Sequence, residues 1–144
     1  MKILVDADSC PKPVREFLLR ICEKKAIKAV FAANRIIPGI TGKFSSMELC
    51  GKEEGSADRK IRELAEAGDL AVTRDLPLAE LLVEKNVTVL DDRGRIFTSE
   101  NIHELRSMRD FMVQLAENNM GIERKPSYGK KDLKKFADSL TQFI

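Results

Sequence analysis

The sequence predicts an α/β protein, a three-layer α/β/α sandwich around a mainly parallel sheet. Short hydrophobic segments alternate along the chain with amphipathic segments of helical length. Helices of this length between successive strands are typical of the right-handed crossovers that connect parallel strands. The length of 144 residues suits a single domain with a substantial core.

The first half of the chain contains three predicted strands and two predicted helices. Residues 3–6 form a hydrophobic strand, and apolar residues recur at helical spacing over 13–24. A second strand covers 26–33, and a short third strand covers 44–50. Ser56 is expected to cap the second helix. The inner face of that helix is expected to consist of Ala57, Ile61, Leu64 and Ala65.

The second half continues the alternation. Strands are predicted at 70–73 and 87–90, with a helix at 77–85 between them. Residues 96–98 are expected to be extended, and Ser99 is expected to cap a long helix over 100–118. A last amphipathic helix is predicted over 131–143. The residues expected on the inner faces of the last two helices are Ile102, Leu105, Met108, Met112, Leu115, Leu133, Phe136, Ala137, Leu140 and Phe143.

The predicted organisation is one α/β domain over 1–120, followed by a linker and a C-terminal amphipathic helix over 121–144. The helix is expected to pack either on the domain or on a partner subunit. A homodimer is therefore compatible with the sequence.

Composition excludes several classes of function. The charges nearly balance, with 25 basic and 23 acidic residues, which does not indicate a dedicated nucleic-acid binder but permits a local basic patch. Three widely spaced cysteines fit a reducing compartment, and the lack of a targeting segment or long apolar run predicts a cytoplasmic protein without membrane association. His103 is the only histidine, which argues against Ser-His-Asp and Cys-His catalysis. Aspartate must then carry any acid–base or metal chemistry.

Aspartates follow three of the predicted strands. Asp6 and Asp8 follow the first strand, Asp75 follows the strand at 70–73, and Asp91 and Asp92 follow the strand at 87–90. The carboxyl ends of parallel strands share one edge of a sheet, where ligands bind. Neighbouring carboxylates repel one another unless a cation lies between them, and Mg²⁺ prefers such oxygen ligands. The pattern predicts metal-assisted phosphate chemistry.

Most of these aspartates also have a structural interpretation. Asp8 and Asp75 stand at helix starts, where each would be an N-cap. Asp58 would favour the first turn of its helix through the helix dipole. The segment 91–94 suits a plain turn. Asp6 has no such role, and its coincidence with Asp8 and Asp75 favours a functional site.

Motifs distributed along the chain together resemble one family. They are Val5-Asp6-Ala7-Asp8-Ser9-Cys10-Pro11, Ser56-Ala57-Asp58, Gly68-Asp69-Leu70-Ala71-Val72-Thr73-Arg74-Asp75-Leu76-Pro77-Leu78-Ala79, Arg93-Gly94 and Met108-Arg109-Asp110-Phe111-Met112. The chain resembles the YaiI/YqxD family of uncharacterised bacterial proteins over essentially its whole length. That family is similar to PIN-like nuclease domains. The resemblance therefore implies a PIN-like sandwich whose acidic cluster binds Mg²⁺ or Mn²⁺ to hydrolyse RNA or another phosphodiester.

The resemblance also implies roles for individual residues. Asp6 would be the central metal ligand and Asp75 the second acid at a strand end. Asp8 and Asp58 would complete the cluster, because PIN-like sites usually have an acid on the second helix. These four aspartates are expected to be both metal ligands and catalytic residues. Substrate contacts are expected from Thr73, Arg74, Asn34 and Arg35.

Two other functions stay open at this point. A phosphatase resembling the haloacid dehalogenase class also begins with a hydrophobic strand and D-x-D, with Asp6 as nucleophile and Asp8 as acid–base partner. Ser9 and Cys10 stand where that class has Gly-Thr. The other alternative is a non-catalytic module that binds RNA or a protein and keeps an acidic pocket.

Overall fold

A computed structural model describes residues 1–117 and 127–144 of the chain. The strands are β1 (Lys2–Asp6), β2 (Lys28–Ala33), β3 (Ser45–Leu49), β4 (Leu70–Val72), β5 (Thr88–Leu90) and β6 (Ile96–Phe97). The helices are α1 (Lys12–Lys25), α2 (Ser56–Leu64), α3 (Leu76–Glu84), α4 (Ser99–Glu117) and α5 (Lys130–Leu140). The strands form one sheet in the order β3-β2-β1-β4-β5-β6. All neighbouring pairs are parallel except β5 and β6, which are antiparallel.

Helices cover both faces of the sheet. Because side chains alternate across a strand, Ile3 and Val5 of β1 face one helical layer and Leu4 faces the other. Helices α1 and α5 pack on the first face, and α2, α3 and α4 pack on the second. The buried helix residues in these two layers include Val14, Leu18, Phe136 and Leu140 on the first face, and Ile61, Leu78, Leu82 and Ile102 on the second. The predicted three-layer α/β/α sandwich is confirmed.

The order in which strands are added to the sheet reverses at β1. The chain moves from β1 through β2 to β3, then crosses over α2 to β4 on the other side of β1. Ligands of open α/β sheets bind at such a reversal, just beyond the carboxyl ends of the two strands. Val5 is paired with Val72 in the register of β1 and β4, so Asp6 and Thr73 come next to each other at that edge.

Two of the predicted helix caps are wrong. Ser56 lies inside α2, where its hydroxyl donates to a backbone carbonyl of the preceding loop, and the N-cap is Gly55 at a φ of 80°. Ser99 is already part of α4. The first turn of α4 is closed by Thr98 and Asn101, each of which accepts a hydrogen bond from the backbone N–H of the other, at 3.1 and 2.8 Å. In both helices the position before the predicted serine precedes the first helical residue.

The inner face predicted for α4 holds only for its first half. Ile102 is buried and Leu105 is half-buried, but Met108 and Met112 are 58% and 41% exposed. The apolar periodicity therefore continues beyond the part of the helix that packs on the body. The prediction that Phe143 faces inward is wrong as well, because it follows the end of α5 and is 39% exposed.

The C-terminal helix α5 packs on the domain, one of the two placements that the sequence left open. Phe136 and Leu140 are fully buried, and the Phe136 ring meets the Phe17 ring of α1 edge-on at 6.2 Å. Ser139 donates a hydrogen bond to the Gly94 carbonyl, which ties the helix to the turn between β5 and β6. Residues 121–126 of the predicted linker lie outside the described residues. None of the helices in the described part of the chain is long and apolar enough to cross a membrane.

Candidate active site

Asp6 and Thr73 connect the ends of β1 and β4 at the sheet reversal. The Thr73 hydroxyl donates to Asp6 Oδ2 at 3.1 Å and accepts from the backbone N–H of Asp75 at 3.0 Å. Thr73 is 2% exposed, so these bonds lie in a buried position. A hydroxyl has one hydrogen to donate, and here it is directed at Asp6. Thr73 therefore orients the Asp6 carboxylate.

Asp75 is both a helix cap and a member of the acidic cluster. Its Oδ1 accepts from the Leu78 backbone N–H at 3.0 Å, which confirms the N-cap interpretation at the start of α3. The Asp75 carboxyl also lies close enough to Asp58 to raise the pKa of that carboxyl. A capping role and a place in the cluster are compatible, because a carboxyl group has two oxygens.

Asp58 reaches the cluster from the helical layer. Helix α2 packs on β1 and β2 and returns to β4, so its first turn lies at the carboxyl edge of the sheet. Burial is the main cause that raises the pKa of Asp58 to about 6, with further increases from the charge and hydrogen bond of Asp75 and from the charge of Asp6. Arg62, one turn along the same helix, lowers this pKa in part.

The pKa of Asp6 is raised too. Burial is the largest cause, the Thr73 hydrogen bond opposes it, and the negative charges of Asp75 and Asp8 add to the increase. Asp6, Asp58 and Asp75 thus influence one another although they come from three separate elements. The structure therefore brings Asp6, Asp58 and Asp75 near one another, and their roles as metal ligands and catalytic residues stay a prediction.

Asp8 lies at the rim of the cluster and does not cap α1. The N-cap position of α1 is Pro11, which has no side-chain cap bond, so the capping interpretation of Asp8 is wrong. Asp8 Oδ2 accepts from the backbone N–H of Asn34 at 2.8 Å, and Asp8 Oδ1 lies 3.8 Å from Arg35 Nε. Asp8 therefore links the loop after β1 to the end of β2. Asn34 and Arg35 are brought beside the cluster, where the Asn34 side-chain oxygen is buried without a hydrogen-bond partner.

The two aspartates after β5 have different roles. Asp91 Oδ1 accepts from two backbone N–H groups of the following turn, at 2.9 and 2.8 Å, which confirms the turn interpretation for this residue. Asp92 is 4% exposed and accepts from Arg74 Nε at 2.6 Å, and Arg74 Nη2 contacts the same oxygen. The Tyr128 hydroxyl donates to the Asp92 carbonyl at 2.7 Å. Asp92 also lies in the predicted turn, in which the Gly94 N–H donates to the Asp91 carbonyl at 3.3 Å, and its side chain is in addition a buried partner of an arginine.

An open cleft of about 280 Å³ lies over the acidic cluster. It combines carboxylates and arginines, and its lining residues are Asp6, Ser9, Arg74, Asp75, Leu76 and Arg109. The hydrogen bond that Arg74 donates to Asp92 raises the pKa of Arg74, which keeps the guanidinium charged. Arg109 comes from α4 and was not identified as a site residue from the sequence. Its position inside the motif 108–112 was the one signal that could have indicated it.

A second depression, of about 610 Å³, lies beside the end of β3 and α2. Two of its three acids are already paired: Glu48 lies 3.2 Å from Lys60, and Glu53 lies 3.3 Å from Arg59. Protein cations thus balance the charges there. The cleft at the β1–β4 reversal is the candidate site because its acids adjoin one another instead.

The donor set at this cleft suits a hard divalent cation. Among residues 1–117 and 127–144, no three Asp, Glu, His or Cys side chains are placed to hold one metal ion together. Mg²⁺, however, is commonly bound by one or two carboxylates, with water and substrate phosphate in the other positions. Asp6 and Asp75, with Asp58 beside them, fit that smaller requirement.

Cys10 lies next to the site, and its chemistry limits the mechanism. Burial raises the pKa of the Cys10 thiol to about 12, with nearby Asp92 and Asp6 adding to the increase and Arg15 and Arg74 opposing it. A thiol with this pKa is not a thiolate nucleophile at neutral pH. The carboxyl groups remain the acid–base candidates at this cleft.

Comparison with known proteins identifies the family. The model of the family described as uncharacterized BCR, YaiI/YqxD matches residues 4–144. The chain belongs to this family. The UPF0178 protein of Treponema denticola is 44% identical over 144 residues, covering 100% of this chain and 92% of the relative. The UPF0178 protein of Myxococcus xanthus is 44% identical over 140 residues, or 97% and 92% of the two chains. The relative from Treponema pallidum is 41% identical over 140 residues, or 97% and 79%. No solved structure matches this chain significantly.

Proposed function

We propose that this member of the YaiI/YqxD family is a PIN-like nuclease that depends on Mg²⁺ or Mn²⁺ and hydrolyses RNA or another phosphodiester. The observation that carries the proposal is the meeting of Asp6, Asp58 and Asp75 at the sheet reversal, with the pKa values of Asp6 and Asp58 raised. Carboxylates that serve only stability are usually placed beside cations or hydrogen-bond donors. These lie beside one another, and a divalent cation would relieve their repulsion.

The residues of the cleft divide the chemistry among them. Asp6 and Asp75 would hold the metal, with Asp8 as an outer ligand. When bound, the ion would polarise the phosphodiester and lower the pKa of a water molecule. Thr73 keeps the Asp6 carboxylate in one orientation through its 3.1 Å hydrogen bond. Asp58, whose pKa of about 6 lies near neutral pH, accepts a proton from the attacking water.

Substrate binding falls to the cationic and polar side chains around the acids. Arg74 lines the cleft, and the buried Asp92 fixes its guanidinium, so it is ready to contact a phosphate. Asn34 and Arg35, at the end of β2, extend the surface beside Asp8. RNA is the proposed partner because a phosphodiester presents the charge that these groups bind.

The test combines Mn²⁺ calorimetry with hydrolysis of a labelled single-stranded RNA. The variants are Asp6→Asn and Asp58→Asn, with Glu63→Gln as a control that removes an exposed carboxylate from the same helix as Asp58. Asp6→Asn should abolish Mn²⁺ binding and hydrolysis, Asp58→Asn should lower hydrolysis at least a hundredfold, and the control should match wild type. Hydrolysis that survives in Asp6→Asn, or that is absent from wild type with Mn²⁺, would overturn the proposal.

The phosphatase alternative is weaker on this geometry. It needs Asp8 as an acid–base group next to the nucleophile Asp6. Asp8 instead accepts from the Asn34 backbone and pairs with Arg35. A phosphomonoester such as p-nitrophenyl phosphate, run beside the RNA substrate, separates the two activities. Tight Mn²⁺ binding with no turnover of either ester would favour the non-catalytic module.

A further inference from the structure

We propose that Arg109 on α4 binds the phosphate group of the substrate in the cleft beside Asp6 and Asp75; the inference rests on the proposed function. Arg109 is the contribution of α4 to the cleft lining, although this half of the helix has no buried residue. A residue there is not needed for the core. Its place in the cleft calls for another explanation.

The argument begins with what Arg109 does not contact. Within the described part of the chain, the Arg109 side chain forms no hydrogen bond and no ion pair within 4.0 Å, although it shares a cleft with two carboxylates. An arginine that serves to neutralise such acids normally does so through two parallel hydrogen bonds. Arg109 stays apart from Asp6 and Asp75, which leaves its donors available for an anion.

The other arginines nearby show the contrast. Arg106, one turn earlier on α4, is bound to Glu80 of α3 and so joins the two helices. Arg74 is bound to the buried Asp92. Arg109 differs from both because its side chain lines the cleft and contacts no acidic partner among the described residues. One face of α4 therefore carries an arginine used for packing and another that is available to a ligand.

The chemistry of the cleft indicates a phosphate. A guanidinium matches two phosphate oxygens in a planar fork, which an ammonium group cannot do. The carboxylates would repel an anion from this site unless cations compensate them. Arg74 and Arg109, placed on different elements around the acids, supply that compensation in addition to a bound metal.

Two measurements test the inference. The first is the anisotropy of a fluorescein-labelled single-stranded RNA in EDTA, which reports binding without metal. The second is the KM and kcat for cleavage of the same RNA with Mn²⁺. The variants are Arg109→Ala and Arg109→Lys, with Arg106→Ala as the control, since it removes the same charge from the same helix.

Arg109→Ala should weaken RNA binding about tenfold and raise KM by a similar factor. Arg109→Lys should recover part of the loss, and Arg106→Ala should bind within about twofold of wild type while losing some thermal stability. Equal losses in Arg106→Ala and Arg109→Ala would reduce the effect to net charge and overturn the inference.

The outcomes separate this inference from the proposed function. Cleavage by wild type with an unchanged KM in Arg109→Ala overturns the role of Arg109 and leaves the nuclease intact. RNA binding that depends on Arg109, without cleavage by wild type, supports the phosphate site and overturns the nuclease. Neither binding nor cleavage by wild type overturns both.

Discussion

Replacing Asp58 with asparagine should stabilise the metal-free protein. The pKa of Asp58 is about 6 in the folded chain against an ordinary value of 3.8, chiefly because of burial and the neighbouring Asp75. A raised pKa means that the folded state binds the proton more tightly than the unfolded state. The destabilisation is therefore absent below about pH 4, grows as the pH rises to about 6, and stays constant above that. Asparagine removes the charge and keeps an amide that can donate to Asp75.

The size of the effect follows from the pKa difference. The full difference corresponds to roughly 3 kcal/mol. Asp58 is half-exposed, so solvent screening reduces the expected gain to about 1–2 kcal/mol. One kcal/mol shifts the Tm of a domain of this size by about 3 °C. We expect Asp58→Asn to raise the Tm by roughly 3–6 °C at pH 8 in EDTA and to leave it unchanged at pH 4.

Thermal melts followed by circular dichroism at both pH values make the measurement. Glu63→Gln, which removes an exposed charge from the same helix, should shift the Tm by less than about 1 °C. Added Mn²⁺ should stabilise wild type more than Asp58→Asn, because a ligand of the folded state raises its stability. A lower or unchanged Tm of Asp58→Asn at pH 8 would refute the reasoning, since Asp58 would then be a favourable helix-start residue and not a strained acid.

Three further predictions concern stability and positioning. Burial raises the pKa of Asp69, but hydrogen bonds from Lys2 and the backbone bring it below its ordinary value. Asp69→Asn should therefore lower the free energy of unfolding, measured in urea at pH 7, by about 1–3 kcal/mol. That deficit should shrink as the pH falls below about 4, and a constant deficit would contradict it. Asp92→Asn, which frees Arg74, should raise the KM for RNA several-fold with a Tm loss of a few degrees; an unchanged KM would show that Arg74 needs no support. Gly94→Ala places a Cβ 2.4 Å from a backbone carbonyl of α5 at a φ of 87°, and should lower the Tm by at least 5 °C in a thermal melt; a near-native Tm would contradict this docking.

The sheet could be predicted from sequence because its signals are local. The central strands are short apolar runs that end at turn residues, and each of the first three helices has its apolar face at the expected spacing. The prediction errors concern side chains whose burial depends on where the residue lies in the fold. Met108 and Met112 continue the α4 periodicity, yet the body beneath the helix ends before them. Sequence spacing does not record where a packing partner stops.

The proximity of Asp6 and Asp75 could be predicted for a related reason, whereas the contact between Asp92 and Arg74 could not, because it joins residues from different loops. Asp6 and Asp75 follow neighbouring strands, so topology alone brings them together. Asp92 also follows a strand, but its partner Arg74 lies 18 residues earlier and comes from another loop. A pair of that kind has no spacing rule. The position of Arg109 could not be predicted from spacing either, because the packing of α4 determines that this residue lines the cleft.

The charges of the cleft argue that its acids are kept for a purpose other than folding. Arg74 lines the cleft, and it is bound to Asp92 instead of Asp6 or Asp75. Arg109 lines the same cleft without pairing with either acid. A chain selected for stability alone would bring these groups together, since an arginine beside Asp6 would lower the raised pKa of that carboxyl. On the proposed function, this separation leaves the carboxylates for a divalent cation and Arg109 for a phosphate group.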